Sequence, residues 1–323
     1  MCARRLVTVV GATGMQGGST IDHLLKHAPG NYNVRAVTRN PSSEAAKALV
    51  ARGVEVVNAN LDDVSSLITA FRGSYAIFAV TDFWSMFNHM EKDEAAALET
   101  RQGKNMVDAA EATMDTLCHY IWSTLADTER ISAGNCTVPH YESKVAVNHY
   151  IESKPELFSR TTFLWCSYYA TNFSRGCLTP VFVPDAGKYV QLQSVPEDTP
   201  MAFIGNTRAN LGAFVKAILE QPLKTRGGKT VFAYIERTTL GGLLQTWAKA
   251  QGVKAQYVQV PTEAYFSLFP KQAEEMHIGM VFWDYARNKS WAPKHGLLTY
   301  LELEVDISTL LSSEDSFKSI AGK

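Results

Sequence analysis

The first thirty residues narrow the possible folds more than any other part of the chain. A short β-rich run at residues 6–10 enters Gly11-Ala12-Thr13-Gly14-Met15-Gln16-Gly17-Gly18, and Ile21, Leu24, Leu25 and Ala28 then recur at helical spacing. A strand that turns through three spaced glycines into a helix has a chemical use. Gly11 permits a tight turn, Gly14 lets a pyrophosphate approach the backbone, and Gly17 lets the helix pack closely on the strand. The phosphate then meets free N–H groups and the positive dipole end of the helix. Thr13, Met15 and Gln16 complete this candidate cradle. The plainer reading, a tight strand–helix turn without a ligand, is weakened because the motif sits inside a βαβ unit.

The alternation continues. Strand-like runs at 34–38, 54–58, 76–80, 119–122 and 161–165 are separated by helical patterns at 45–52, 62–71, 91–112 and 143–153. This rhythm predicts a Rossmann-type, doubly wound, mostly parallel α/β sheet with right-handed crossovers. Nearly continuous apolar strands imply helices on both faces. After residue 166 the rhythm changes, and Pro180, Pro184, Pro196 and Pro200 fall in a polar stretch. Helices are expected at 209–220, 240–250, 262–268 and 272–282, and strands at 190–192, 230–233 and 255–260. The expected organisation is an NAD(P)-binding domain at 1–165 and a smaller α/β lobe at 166–323. No linker separates them, so the lobes are expected to be fused, with room for the chain to return to the first domain. The polar tail 312–323 is expected to fray.

Composition removes several function classes. With 46% hydrophobic and 20% charged residues among 323, the chain has ample material for a core and is not disordered. Lys plus Arg is 31 and Asp plus Glu is 32, with no basic stripe, which argues against direct nucleic-acid binding. Cys2, Cys118, Cys136, Cys166 and Cys177 form no C-x-x-C pair. No metal centre is expected, and the thiols read as reduced in a cytoplasmic protein. No apolar run approaches the ~20 residues of a membrane span, and the apolar run near Met1 is too short for a signal peptide.

Candidate ligand contacts follow the strand ends, because ligands of such sheets bind outside the carboxyl edge. The second strand ends in Val37-Thr38-Arg39-Asn40-Pro41, without the carboxylate that would grip a ribose 2′-hydroxyl. Arg39 is either a partner for a 2′-phosphate or an exposed loop arginine. The first reading favours NADP(H), with NAD(H) still allowed. Asn60 and Asp62 follow the third strand, where the adenine end would lie, although Asp62 and Asp63 are also N-cap candidates. Thr81, Phe83 and Trp84 follow the fourth strand and would line the cofactor and substrate site, or anchor the loop in the core. Ser123 follows the fifth strand as a substrate-orienting hydroxyl or a turn former.

Several of these segments occur together with Gln102-Gly103-Lys104-Asn105, with Pro139-His140-Tyr141-Glu142-Ser143-Lys144, and with Tyr168-Tyr169-Ala170-Thr171-Asn172-Phe173. On them, and on Gly-Ala-Thr-Gly-Met-Gln-Gly, the whole chain resembles the NmrA-like family of atypical short-chain dehydrogenases/reductases. The likeness is strong over the Rossmann lobe and looser over 166–300. It implies an NAD(P)(H)-binding oxidoreductase acting on a small organic molecule between the lobes. It equally implies a catalytically silent NADP(H) sensor that binds a regulatory protein partner, in which case a nuclear location is also open. Tyr169 and Asn172 fall in what the resemblance implies is the substrate pocket.

Typical reductases of the superfamily carry a tyrosine four residues before the active-site lysine, one helix face holding both. Here that position is His140, and Tyr141 lies three before Lys144. Three readings stay open. His140 or Tyr141 supplies a proton while Lys144 holds the nicotinamide ribose. Alternatively the site binds dinucleotide without turnover, or His140 only packs near a helix start.

Overall fold

In the computed structural model, residues 4–270 and 273–320 are described. Six strands alternate with helices as expected: β1 (Arg5–Val9), β2 (Tyr32–Thr38), β3 (Glu55–Asn58), β4 (Ala76–Ala79), β5 (His119–Thr124) and β6 (Thr161–Cys166). They lie side by side as β3-β2-β1-β4-β5-β6, and Lys229–Ala233 and Leu297–Leu298 extend the sheet beyond β6. Every neighbouring pair is parallel. The order reverses at β1, which is flanked by β2 and β4, so a crevice opens above the carboxyl ends of β1 and β4. The large sheet thus draws two of its eight strands from beyond residue 166.

Every residue of β4, β5 and β6 is buried, which is why these runs lack polar alternation. Two cores result. On one face Val7, Val9, Ile121 and Leu164 meet Ile21 and Leu24 of helix Met15–His27 and Leu211 and Phe214 of helix Thr207–Glu220. On the other, Ile77, Tyr120 and Trp122 meet Phe71, Met106 and Val147 from the helices Val64–Phe71, Lys92–Glu111 and Pro139–Glu152. Full burial of each such side chain stabilises by ~1.5–3 kcal/mol, so this two-sided cover fixes the sheet firmly.

The remaining chain forms two three-stranded sheets, Glu236–Thr239 with Pro200–Gly205 and Tyr168–Tyr169, and Ala255–Gln259 with Lys188–Gln193 and Val181–Val183. The strands at 200–205 and 236–239 were not expected from the sequence. Pro200 opens its strand, the position where a missing N–H is tolerated. Helix Ala273–Ala286 stands where 272–282 was anticipated, with Gln272 itself outside the described residues. The tail does not fray throughout. Ser313–Lys318 is helical, and Phe317 is fully buried between Phe173 and Phe203. One aromatic anchor overrides a polar composition. The helix expected at 143–153 begins earlier, at Pro139, because proline is well suited to a first helical position.

Cys118, Cys136, Cys166 and Cys177 are free thiols, and Cys2 lies outside the described residues. Among the described residues no helix is long and apolar enough to cross a membrane.

Candidate active site

The glycine loop lies at the switch point. Gly11 has φ +66°, and a Cβ there would stand 2.9 Å from Val80 at the end of β4. A Cβ on Gly17 would fall 2.3 Å from the Gly11 carbonyl oxygen, so only glycine allows the helix this close to the turn. The Gly14 N–H donates to Gly11 O at 2.9 Å and closes the turn. Gly14 is then the N-cap of Met15–His27, with no side-chain cap and no acid in the first turn. Such an uncapped, acid-free helix start suits an anion.

The flanking candidates lie along the same edge. Arg39 is exposed after β2, and its side chain has no partner among the described residues. Asp62 accepts from Arg101 at 2.9 Å and from Gln102 at 3.1 Å, and its N–H donates to Asn60 Oδ1 at 3.1 Å. The N-cap of Val64–Phe71 is Asp63, not Asp62.

The polar face of helix Pro139–Glu152 meets the segment after β4. Lys144 Nζ donates to Thr81 Oγ1 at 2.8 Å and to the Thr81 carbonyl at 3.3 Å. It also pairs with Glu99 at 2.8 Å. Glu99 is fully buried, and its other oxygen accepts from Ser143 Oγ. Burial alone would raise the Glu99 pKa. The Lys144 charge and hydrogen bonds from Lys144, Ser143 and Thr81 outweigh it and hold the carboxyl below its ordinary value.

One turn earlier, His140 lies against Phe83 and Trp84, with ring centroids 5.7 and 5.0 Å away. Its Nδ1 is 2.5 Å from Glu275 Oε1, and its backbone N–H donates to the same oxygen at 2.9 Å. Tyr141 points into a separate core beside Phe282, where burial raises its pKa and Trp283 is a hydrogen-bond partner. Of the two candidate proton donors, His140 is therefore the one that meets the Phe83–Phe87 helix.

The remaining candidates converge from the other side. Ser123 Oγ donates to Gln16 Oε1 at 2.6 Å, and Gln16 Nε2 donates to the Tyr169 hydroxyl at 2.7 Å. Thr171 Oγ1 reaches Met15 Sδ at 3.7 Å. Asn172 hydrogen-bonds Tyr168 instead of joining this chain. Burial raises the Tyr169 pKa well above its usual value.

A model of the NmrA-like family matches residues 3–305. The chain belongs to the NmrA-like family. It is 30% identical over 289 residues to the NmrA-like family domain-containing oxidoreductase ptmS of Penicillium ochrochloron, covering 84% of this chain and 81% of that protein. It is 27% identical over 280 residues to the corresponding oxidoreductase hkm9 of Aspergillus hancockii, covering 82% and 78%. Its fold is similar to that of NmrA, a negative transcriptional regulator solved with NADP, at a TM-score of 0.74 and 20% identity over 98% of this chain and 95% of that one.

Two residues that touch the candidate side chains were not anticipated from the sequence, Glu99 at Lys144 and Glu275 at His140. Both were detectable in principle. Ala95, Glu99, Gly103 and Met106 share the buried face of one helix, and Glu275, Gly279, Phe282 and Ala286 that of another. An acid recurring on an apolar stripe is a buried acid, and a buried acid needs a partner.

Proposed function

We propose that this chain is an NADP(H)-dependent oxidoreductase that reduces a small organic molecule held near Trp84, Ser123, Tyr169 and Asn172. The observation that carries this reading is the joint contact of Lys144 and His140 with the segment after β4, Lys144 at Thr81 and His140 at Phe83 and Trp84. The residues fit the cofactor. The uncapped helix start and the side-chain-free approach at Gly11 and Gly17 suit a pyrophosphate, and the unpaired Arg39 suits a 2′-phosphate. NAD(H) would use the same cradle without that last contact.

When bound, NADPH would supply a hydride and become NADP+. Lys144 would hold the nicotinamide ribose, its charge balanced by Glu99. A substrate double bond that took up this hydride at one atom would place the electron pair on the other. That second atom takes a proton from His140 Nε2, and solvent returns a proton to the imidazole. Phe83 and Trp84 flank the imidazole beside this face.

The test follows NADPH absorbance against a panel of carbonyls, imines and quinones. Turnover is expected in the native protein, severely impaired in Lys144→Ala and lowered by roughly 10²–10⁴-fold in His140→Ala. Arg39→Glu should weaken NADPH binding about ten- to hundredfold and leave NADH nearly unchanged. Tight NADPH binding without turnover of any acceptor, together with altered affinity for a protein partner, would replace this reading with the sensor.

A further inference from the structure

Glu275 is 1% exposed, yet it sits on a helix of the smaller lobe, 135 residues from the group it touches. Its Oε1 takes both the backbone N–H and the Nδ1 of His140, at 2.9 and 2.5 Å. Its Oε2 is buried with no hydrogen-bond partner among the described residues. A buried carboxylate with one unsatisfied oxygen is costly. Capping the start of helix Pro139–Glu152 would need only a neutral amide, so the cap does not explain the charge. A carboxylate whose partners belong to one histidine is explained if that histidine becomes a cation during its work.

The surroundings are built to hold this pair. The neighbouring Glu274 pairs with Lys92 at 2.8 Å and ties the first turn of helix Ala273–Ala286 to helix Lys92–Glu111. Gly279, one turn on from Glu275, would bring a Cβ to 3.8 Å from the His140 ring, so the helix passes close without blocking it. The Phe83 and Trp84 rings and the edge-on Tyr141 ring confine the imidazole further.

We propose that Glu275 is the positioning residue of His140: accepting from Nδ1–H, it fixes the ring and its tautomer so that Nε2 alone faces the substrate side. The inference rests on the proton-donor reading above. When Nε2 gives up its proton to the substrate, the N–H bond at Nε2 breaks and the electron pair stays on that nitrogen. The imidazole is left as the Nδ1–H tautomer, which Glu275 already holds. No proton passes to Glu275, which orients and balances charge as the acid of a Ser-His-Asp triad does.

The test is a nitrogen-15 spectrum of histidine-labelled full-length protein, with the His140 signal assigned by its loss in His140→Phe. At a pH where the ring is neutral, native protein should show Nδ1 protonated and Nε2 bare. A native ring protonated at Nε2 overturns the proposal without any variant. Glu275→Gln keeps an acceptor and should keep the tautomer, whereas Glu275→Leu should lose it. A Leu variant that folds and retains the native tautomer also overturns the idea. In turnover, Glu275→Leu should lower kcat, by no more than the roughly 10²–10⁴-fold that a general acid supplies, and leave the KM for NADPH unchanged. A tautomer that follows Glu275 in a protein that reduces nothing would uphold the positioning role and reject the reductase reading, so the two failures are distinguishable.

Discussion

At the scale of single residues, the sharpest feature is a buried ion pair. Desolvating Lys144 and Glu99 costs several kcal/mol per ion, and only good geometry with extra hydrogen bonds offsets it. Glu99 has that geometry, with Ser143 and Thr81 added to Lys144. Its folded-state pKa lies below the unfolded one, so the pair's contribution is complete above about pH 4.3 and lost as pH falls through the lower folded value. Glu99→Gln should therefore cost about 3–5 kcal/mol at neutral pH by leaving Lys144 uncompensated. That deficit should shrink on acidification below about pH 4. Urea midpoints of both proteins across pH measure it, and a deficit independent of pH would refute the account. The sequence exposed Lys144 because a lysine four residues after His140 has a local spacing to recognise. It hid the partner, because nothing local marks residue 99 as facing residue 144.

At the scale of elements, the glycine loop and the helix after it act as one rigid unit. A Cβ added at Gly17 would meet backbone, 2.3 Å from Gly11 O and 2.6 Å from its carbonyl carbon, so no side chain can give way. Gly17→Val should push helix Met15–His27 off the turn, destabilise the fold by about 1–3 kcal/mol, and abolish NADPH binding in calorimetry. Native-like affinity in that variant would show that the close approach is dispensable. A similar contact sets the other face, where a Cβ on Gly103 would meet Val147 at 2.5 Å, so helix Lys92–Glu111 lies close enough to carry Glu99 to Lys144. Elements with a strong period or a local punctuation mark were legible, including β1 to β6 and the loop between β1 and its helix. The strands at 200–205 and 236–239 were not, since what makes them strands is their pairing with each other, Pro200 opposite Thr239.

At the scale of the molecule, distant stretches of the chain are held together by contacts that no short window of sequence contains. Phe317 is one. Fully buried against Phe173 and Phe203, it fixes the last described helix to segments more than a hundred residues earlier in the chain. Phe317→Ala should lower stability by about 3–5 kcal/mol, read from chemical denaturation. A loss under about 1 kcal/mol would return this segment to the frayed tail its composition suggests. The glutamine of the glycine loop is another such contact. One amide holds Ser123 with its oxygen and Tyr169 with its nitrogen, across 107 and 153 residues of chain. The loop that would cradle a pyrophosphate and the wall that would face a substrate therefore share a side chain, and neither can shift without disturbing the other's bond. Thermodynamic reciprocity then binds the two sites. If occupancy of the wall moves Gln16 and changes dinucleotide affinity by some factor, dinucleotide must change affinity at the wall by the same factor.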